Sequence, residues 1–143
     1  MGWAAPFVAA FAIVGCGGGG DSNPPTLSSI SVTTAPAVVT YQGGTANLSL
    51  MAIDNTGVDS TTVKVNVLVG GSSVSGGPVV MTKSATPNVY TYSMPLANNI
   101  TGTSAVTYNF QVTAADLQGH ALLAPVNAGS VSVPAPPGPP SGP

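Results

Sequence analysis

Three aspartates carry the clearest chemical potential in this chain, and two of them stand in matched contexts. Asp54 and Asp116 each lie in the spacing Ala-x-Asp-x-x-Gly, which ends at Gly57 and Gly119. With Asp59 and loop carbonyls, they offer the hard oxygen ligands that Ca²⁺ takes in sets of about six to eight. In the alternative interpretation, each carboxylate accepts hydrogen bonds from its own turn and each glycine supplies a positive φ. The sequence leaves both interpretations open and favours the second.

The chain has one histidine, His120, directly after the second of these turns. A zinc site draws three or four ligands from His, Cys and carboxylates, and there is no second His to join it. Acid–base catalysis needs titratable groups with separated pKa values in one pocket, whereas this chain offers few titratable groups and no Gly-x-Ser-x-Gly elbow. We therefore predict a solvated loop histidine and a protein that is not an enzyme.

Charged residues make up only 4% of the 143 residues, and Lys64 and Lys83 are the only basic side chains. Nucleic-acid binding depends on neutralising phosphates with a basic face, and this chain has none. Composition thus excludes a nucleic-acid partner.

The elements that position these side chains are strands, because apolar residues recur at every second position. The clearest strand covers 106–114, and further alternating segments cover 63–69, 46–52 and 90–96. Shorter edge strands are predicted around Ile30 and Val32, around Val79 and Met81, and around Val131 and Val133. Gly, Asn and Ser clusters separate these segments, and there is no helical period. The chain is therefore predicted to be all-β.

About seven short strands over residues 27–133 fit a two-sheet β-sandwich, and here the pattern resembles the immunoglobulin-like and cadherin-like modules of bacteria. Tyr108-x-Phe110-x-Val112 resembles their F strand, with Tyr108 at the tyrosine-corner position and Phe110 in the slot that antibody domains give to a cysteine. The resemblance implies that the loops holding Asp54 and Asp116 leave strands B and F at one pole. It implies a fold and no particular activity.

The start of the chain resembles a bacterial lipoprotein signal peptide. An apolar run ends in Ile13-Val14-Gly15-Cys16 and is too short to span a bilayer. The resemblance implies that residues 1–15 are removed and that Cys16 carries the lipid that anchors the protein to the cell envelope. Gly17 after the cysteine implies the outer membrane.

The remaining segments are a Gly-rich linker over residues 16–26 and a Pro-rich tail over residues 134–143, which is expected to be extended. We expect a non-enzymatic envelope module that acts in adhesion, in scaffolding or as a spacer, with a protein partner or a second copy of itself. An odd number of strands places the two ends at opposite poles. The alternative is a module that binds Ca²⁺ or a glycan through the pole of Asp54, Asp59 and Asp116.

Overall fold

The computed structural model of the chain describes residues 22–139. The predicted signal peptide and the predicted lipidation site, Cys16, lie outside the described residues. Within residues 22–139 there are strands and no helix, and so no helix that could cross a membrane. The nine strands are β1 (Thr26–Thr40), β2 (Gly43–Ile53), β3 (Lys64–Val69), β4 (Ser72–Ser73), β5 (Val79–Val80), β6 (Thr82–Lys83), β7 (Val89–Leu96), β8 (Val106–Thr113) and β9 (Val126–Val133).

The strands form two antiparallel sheets, which confirms the predicted all-β sandwich. One sheet has the order β1-β2-β7-β6, and the other has the order β4-β3-β8-β9 with β5 also paired to β3. The chain crosses between the sheets at Met81, because β5 pairs with one sheet and β6 with the other. Met81 is buried, and its N–H donates to the carbonyl of Val63 at 2.8 Å.

The period-two pattern builds the core. Successive side chains on a strand point to opposite faces, so one apolar row per strand faces the other sheet. In β2, Leu48 and Leu50 are almost completely buried, and in β8 Phe110 and Val112 are fully buried. Burying a large apolar side chain stabilises the fold by about 1.5–3 kcal/mol. Most of the core therefore comes from residues that the alternation predicted, and Ala115 and Ala128 are buried in addition.

The first strand is longer than the short edge that the sequence predicted. β1 has 15 residues, although its pairing with β2 is interrupted twice, between Ser28 and Ser31 and between Ala35 and Thr40. The second interruption contains Pro36, which has no N–H to donate to a ladder. Alternation was visible only around Ile30 and Val32 because these irregularities disturb the period on either side.

The two ends of the described chain lie at opposite poles of the sandwich. Thr26 at the start of β1 pairs with Ile53 at the end of β2, whereas Val133 at the end of β9 pairs with Val106 at the start of β8. We call the first end the N-terminal pole, formed by residues 22–25, 54–63 and 114–125. The second is the C-terminal pole, formed by residues 41–42, 97–105 and 134–139. The opposite placement agrees with the prediction from an odd number of strands.

Candidate functional site

The loops that follow β2 and β8 contact each other at the N-terminal pole. Val58 and Asp116 form an isolated antiparallel bridge, and the N–H of Leu117 donates to the carbonyl of Gly57 at 3.0 Å. The N–H of Asp59 donates to the carbonyl of Ala115, also at 3.0 Å. Backbone pairing therefore joins the two loops that carry the three candidate aspartates.

A threonine that the sequence reasoning did not single out completes this junction. The hydroxyl of Thr62 accepts a hydrogen bond from the N–H of Ala115 at 2.8 Å. It also lies 2.7 Å from the carbonyl oxygen of Asp59 and 3.1 Å from that of Ala115. One hydroxyl thus connects residues that are 53 positions apart in the sequence, which no local pattern signals.

Asp54 and Asp59 each hold their own turn. Asp54 Oδ1 accepts from the N–H and the hydroxyl of Thr56, at 2.8 and 2.6 Å. Asp59 Oδ1 accepts in the same way from Thr61, at 2.9 and 2.7 Å. The bonds from Thr61, first from its hydroxyl and then from its backbone, lower the pKa of Asp59 below the usual value of 3.8. These contacts are those of aspartates that stabilise turns through their own backbone.

Asp116 is different because its side chain is completely buried. Its Oδ1 accepts from the backbone N–H groups of Gln118 and His120, at 2.8 and 2.7 Å. Its Oδ2 lies 2.7 Å from the Nδ1 atom of His120. Burial has the largest single effect on the pKa of Asp116 and raises it, but the hydrogen bonds from His120 and Gln118 together outweigh burial. The pKa therefore lies below the usual 3.8.

His120 covers the buried carboxylate from the solvent side. Its side chain is 37% exposed, and Asp116 is the only side chain among residues 22–139 with which the imidazole forms a hydrogen bond. An imidazole held by a carboxylate at Nδ1 is oriented as a general base would be, but catalysis of that kind also needs a nucleophile within hydrogen-bond reach. The contacts of the pair are those of a clamp on the turn 116–120, to which Gly119 contributes a positive φ of 93°.

The three aspartates share a pole without forming one cluster of ligands. In the described part of the chain, no three His, Cys, Asp or Glu side chains are grouped so that they could hold a metal ion. The carboxylate oxygens described above accept hydrogen bonds within their own turns. This is the geometry of the alternative interpretation, in which each aspartate stabilises its own turn. Calcium binding by Asp54, Asp59 and Asp116 stays a prediction.

Two further residues that the sequence singled out lie in β8, and one of them, Tyr108, bonds to the C-terminal pole. The hydroxyl of Tyr108, at the beginning of β8, accepts a hydrogen bond from the N–H of Ala97 at 3.2 Å. Ala97 lies 11 residues upstream, in the loop that leads from β7 to β8, so the hydroxyl joins the start of β8 to that loop. Phe110, two residues later, is fully buried in the core.

Asn99 is a buried polar residue that the sequence reasoning placed only in a turn. Its amide nitrogen lies 2.8 Å from the carbonyl oxygen of Ser104, 3.3 Å from that of Val133 and 3.1 Å from that of Pro134. Its backbone N–H donates to the carbonyl of Tyr41 at 2.7 Å. Asn99 therefore ties the 97–105 loop to the end of β9 and to the turn between β1 and β2.

A glycan site would need polar groups and, ordinarily, an exposed aromatic ring. The first sheet has a shallow groove of about 420 Å³, lined mainly by short polar side chains such as Ser31, Asn47 and Ser93, with Tyr92 and Leu48 among them. All the large hydrophobic side chains that are strongly exposed in residues 22–139 are aliphatic. The groove lies apart from the pole of Asp54, Asp59 and Asp116 to which the glycan prediction refers, and glycan binding at that pole stays a prediction.

Comparison of the chain with protein-family models, with curated proteins and with solved structures found no significant match.

Proposed function

We propose that this chain is a lipid-anchored module of the bacterial cell envelope that acts without catalysis, as a spacer, an adhesion element or a scaffold. The observation that carries the proposal is the placement of the two ends at opposite poles. A chain anchored through Cys16 reaches the sandwich at one pole and leaves it at the other. The module therefore holds whatever follows residue 133 away from the anchor.

The dimensions of the sandwich suit this role. The 11 residues of β2 run from one pole to the other, and a strand rises about 3.4 Å per residue, so the module adds about 37 Å between its ends. A Pro-rich segment such as the one after β9 favours an extended, stiff conformation, which would lengthen the spacer. The protein partner, or the second copy, would then meet the module at or beyond the C-terminal pole.

We further propose that the sandwich is of the immunoglobulin type. With β1, β2, β7 and β6 taken as strands A, B, E and D, and β3, β8 and β9 as C, F and G, the sheet orders agree with that topology. The hydrogen bond from Ala97 to the hydroxyl of Tyr108 supports the same assignment. An experimental structure in which β9 does not pair with β8 would contradict it.

The lipid anchor can be tested in a bacterial host that processes lipoproteins. We expect the full chain to incorporate labelled palmitate and to enter the detergent phase, because two or more acyl chains give stable anchoring. The variant Cys16→Ala removes the only thiol and should lose both properties, whereas Ser22→Ala, in the same linker, should keep them. Equal labelling of the wild type and Cys16→Ala, or no labelling of either, would overturn the anchor.

The spacer and adhesion roles differ in what touches the C-terminal pole. A photo-crosslinking residue at position 98 in that pole should capture one specific envelope protein if the module is an adhesion or scaffold element. The same residue at position 55 in the N-terminal pole is the matched control. A module that acts only as a spacer would give no specific adduct at position 98.

A further inference from the structure

The N-terminal pole exposes apolar side chains next to the point at which the chain reaches the sandwich. Leu123 is completely exposed and Leu117 is 67% exposed, although leucine is ordinarily among the buried residue types. Ile53, 45% exposed, lies beside the segment Asn23–Thr26 at the same pole. Three exposed aliphatic side chains thus lie at or next to the end of the module at which the chain enters.

The loop that displays the leucines is held in place. Leu117 follows the buried Asp116, whose carboxylate fixes the turn, and its N–H is bonded to Gly57 of the neighbouring loop. Leu122, just before Leu123, donates its N–H to the carbonyl of Ala114 at 3.0 Å. The apolar side chains are therefore presented by a loop that is hydrogen-bonded on both sides of the turn.

The length of chain between Cys16 and the sandwich keeps this pole near a lipid surface. Eight residues lie between Cys16 and the fully buried Pro25, so nine Cα–Cα steps join the two. Fully extended, they span at most about 32 Å. For a chain of this length with Gly-rich composition, the typical end-to-end distance is about 17 Å. A pole held this close to a bilayer meets it repeatedly, and exposed leucines gain by entering its interface.

We propose that the N-terminal pole docks on the lipid surface through Leu117, Leu123 and Ile53, so that the module stands upright on the membrane. This inference rests on the proposed lipid anchor. The charges near the pole specify the surface: Asp54, Asp59 and Asp116 outnumber the two lysines, Lys64 and Lys83, so the Asp and Lys side chains leave a net negative charge. The matching surface is therefore zwitterionic, and an anionic surface repels the pole.

Two features of the chain allow a direct test. Cys16 is the only cysteine, and the only tryptophan is Trp3, so a chain that begins at Cys16 has one thiol and no tryptophan. We would couple Cys16 to a maleimide lipid in phosphatidylcholine vesicles whose acyl chains carry bromine, a quencher of tryptophan. Leu123→Trp then reports contact between the N-terminal pole and lipid. Ile100→Trp is the matched control, because Ile100 is 56% exposed at the C-terminal pole.

For Leu123→Trp we expect a blue-shifted emission and at least about twofold quenching, because the indole enters the interface. For Ile100→Trp we expect no quenching. Adding Leu117→Ser to Leu123→Trp should weaken the quenching, and vesicles rich in phosphatidylserine should weaken it further. Unfolding curves of each variant establish that the sandwich is intact.

Equal quenching at positions 100 and 123, or none at either, would overturn the docking. A blue shift of Leu123→Trp already present without vesicles, together with a dimeric mass, would also overturn it and would identify a second copy of the chain as the occupant. Chemical coupling sets the same geometry whether or not a host acylates Cys16. Failure of docking is therefore distinguishable from failure of the proposed lipid anchor, which the palmitate experiment reports.

Discussion

The loops at the two poles of the sandwich are held in place by chemically different side chains. At each pole a buried polar side chain holds the backbone of a loop. At the N-terminal pole the carboxylate of Asp116 bonds within its own turn, whereas at the C-terminal pole the neutral amide of Asn99 ties loops that are distant in sequence. Among the described residues, every Asp and Lys lies in the loops of the N-terminal pole or in the half of a strand next to it.

The difference predicts which loops depend on pH for their stability and which do not. A carboxylate makes strong hydrogen bonds only while it is ionised, so its contribution depends on pH. An amide keeps the same donors and acceptors at every pH. The C-terminal pole, from which a spacer would extend, is thus held by hydrogen bonds of an amide that does not titrate.

The largest expected effect comes from removing the neutral clamp. Asn99→Ala leaves the buried carbonyls near Val133 without their donor, and we expect a loss of about 2–3 kcal/mol in the free energy of unfolding. Asn98→Ala, at the exposed neighbouring position, is the control and should change stability by less than about 0.5 kcal/mol. Urea denaturation measures both. Equal losses for the two variants would refute the assignment of Asn99 as a clamp.

Gly102 gives a second way to disturb the same clamp. A Cβ atom at this position would overlap the side-chain amide of Asn99. We expect Gly102→Ala to cost about 1–3 kcal/mol, as overpacking of a buried site does. The matched measurement is the double variant with Asn99→Ala, in which the obstructed amide is gone, so Gly102→Ala should cost much less there. Additive losses would show that the glycine acts independently of Asn99.

The contribution of the Asp116 carboxylate to the free energy of unfolding should depend on pH. The pKa values of Asp59 and Asp116 are lowered in the folded protein. Their contribution to stability is therefore complete above the unfolded value of about 3.9 and is lost as the pH falls through the lower folded values. Asp116→Asn should destabilise the protein at pH 7 and flatten this acid dependence.

Tyr108→Phe supplies the neutral comparison for the acid experiment. It removes the hydroxyl that accepts from Ala97, and we expect a loss of about 1 kcal/mol that is the same at pH 7 and below pH 4. Chemical denaturation at a series of pH values measures both variants. If the acid dependence of Asp116→Asn matches that of the wild type, the carboxylate is not the pH-sensitive group of this pole.

The two poles also differ in how far the sequence predicts them. The turns of Asp54 and Asp116 are local: each aspartate bonds to residues two to four positions away, so a short spacing signals them. The strands follow from alternation because one face of each sheet is buried. The same local reasoning places Tyr108 at the start of its strand.

The partners of Asn99 lie outside any local pattern. Two of the carbonyl oxygens that contact its amide belong to residues 34 and 35 positions away. The pair Asn98-Asn99 predicts a turn but not these distant partners. Thr62 is hidden for the same reason. The exposure of Leu117 and Leu123 is equally invisible, because a short apolar segment in a sequence does not state whether the fold will cover it. Tertiary context decides all three.

Calcium should have the smallest effect, and it separates the two interpretations of the aspartates. Oδ1 of Asp54, Oδ1 of Asp59 and both carboxylate oxygens of Asp116 are already engaged within their own turns, so few carboxylate oxygens are left for a cation that takes about six to eight ligands. We therefore expect millimolar Ca²⁺, the range of extracellular calcium modules, to leave the melting temperature unchanged. Mg²⁺ at the same concentration controls for ionic strength. A rise of several degrees with Ca²⁺ that Asp116→Ala abolishes would instead favour a calcium-binding pole, and the N-terminal pole would then be ordered by a ligand and not by its own side chains alone.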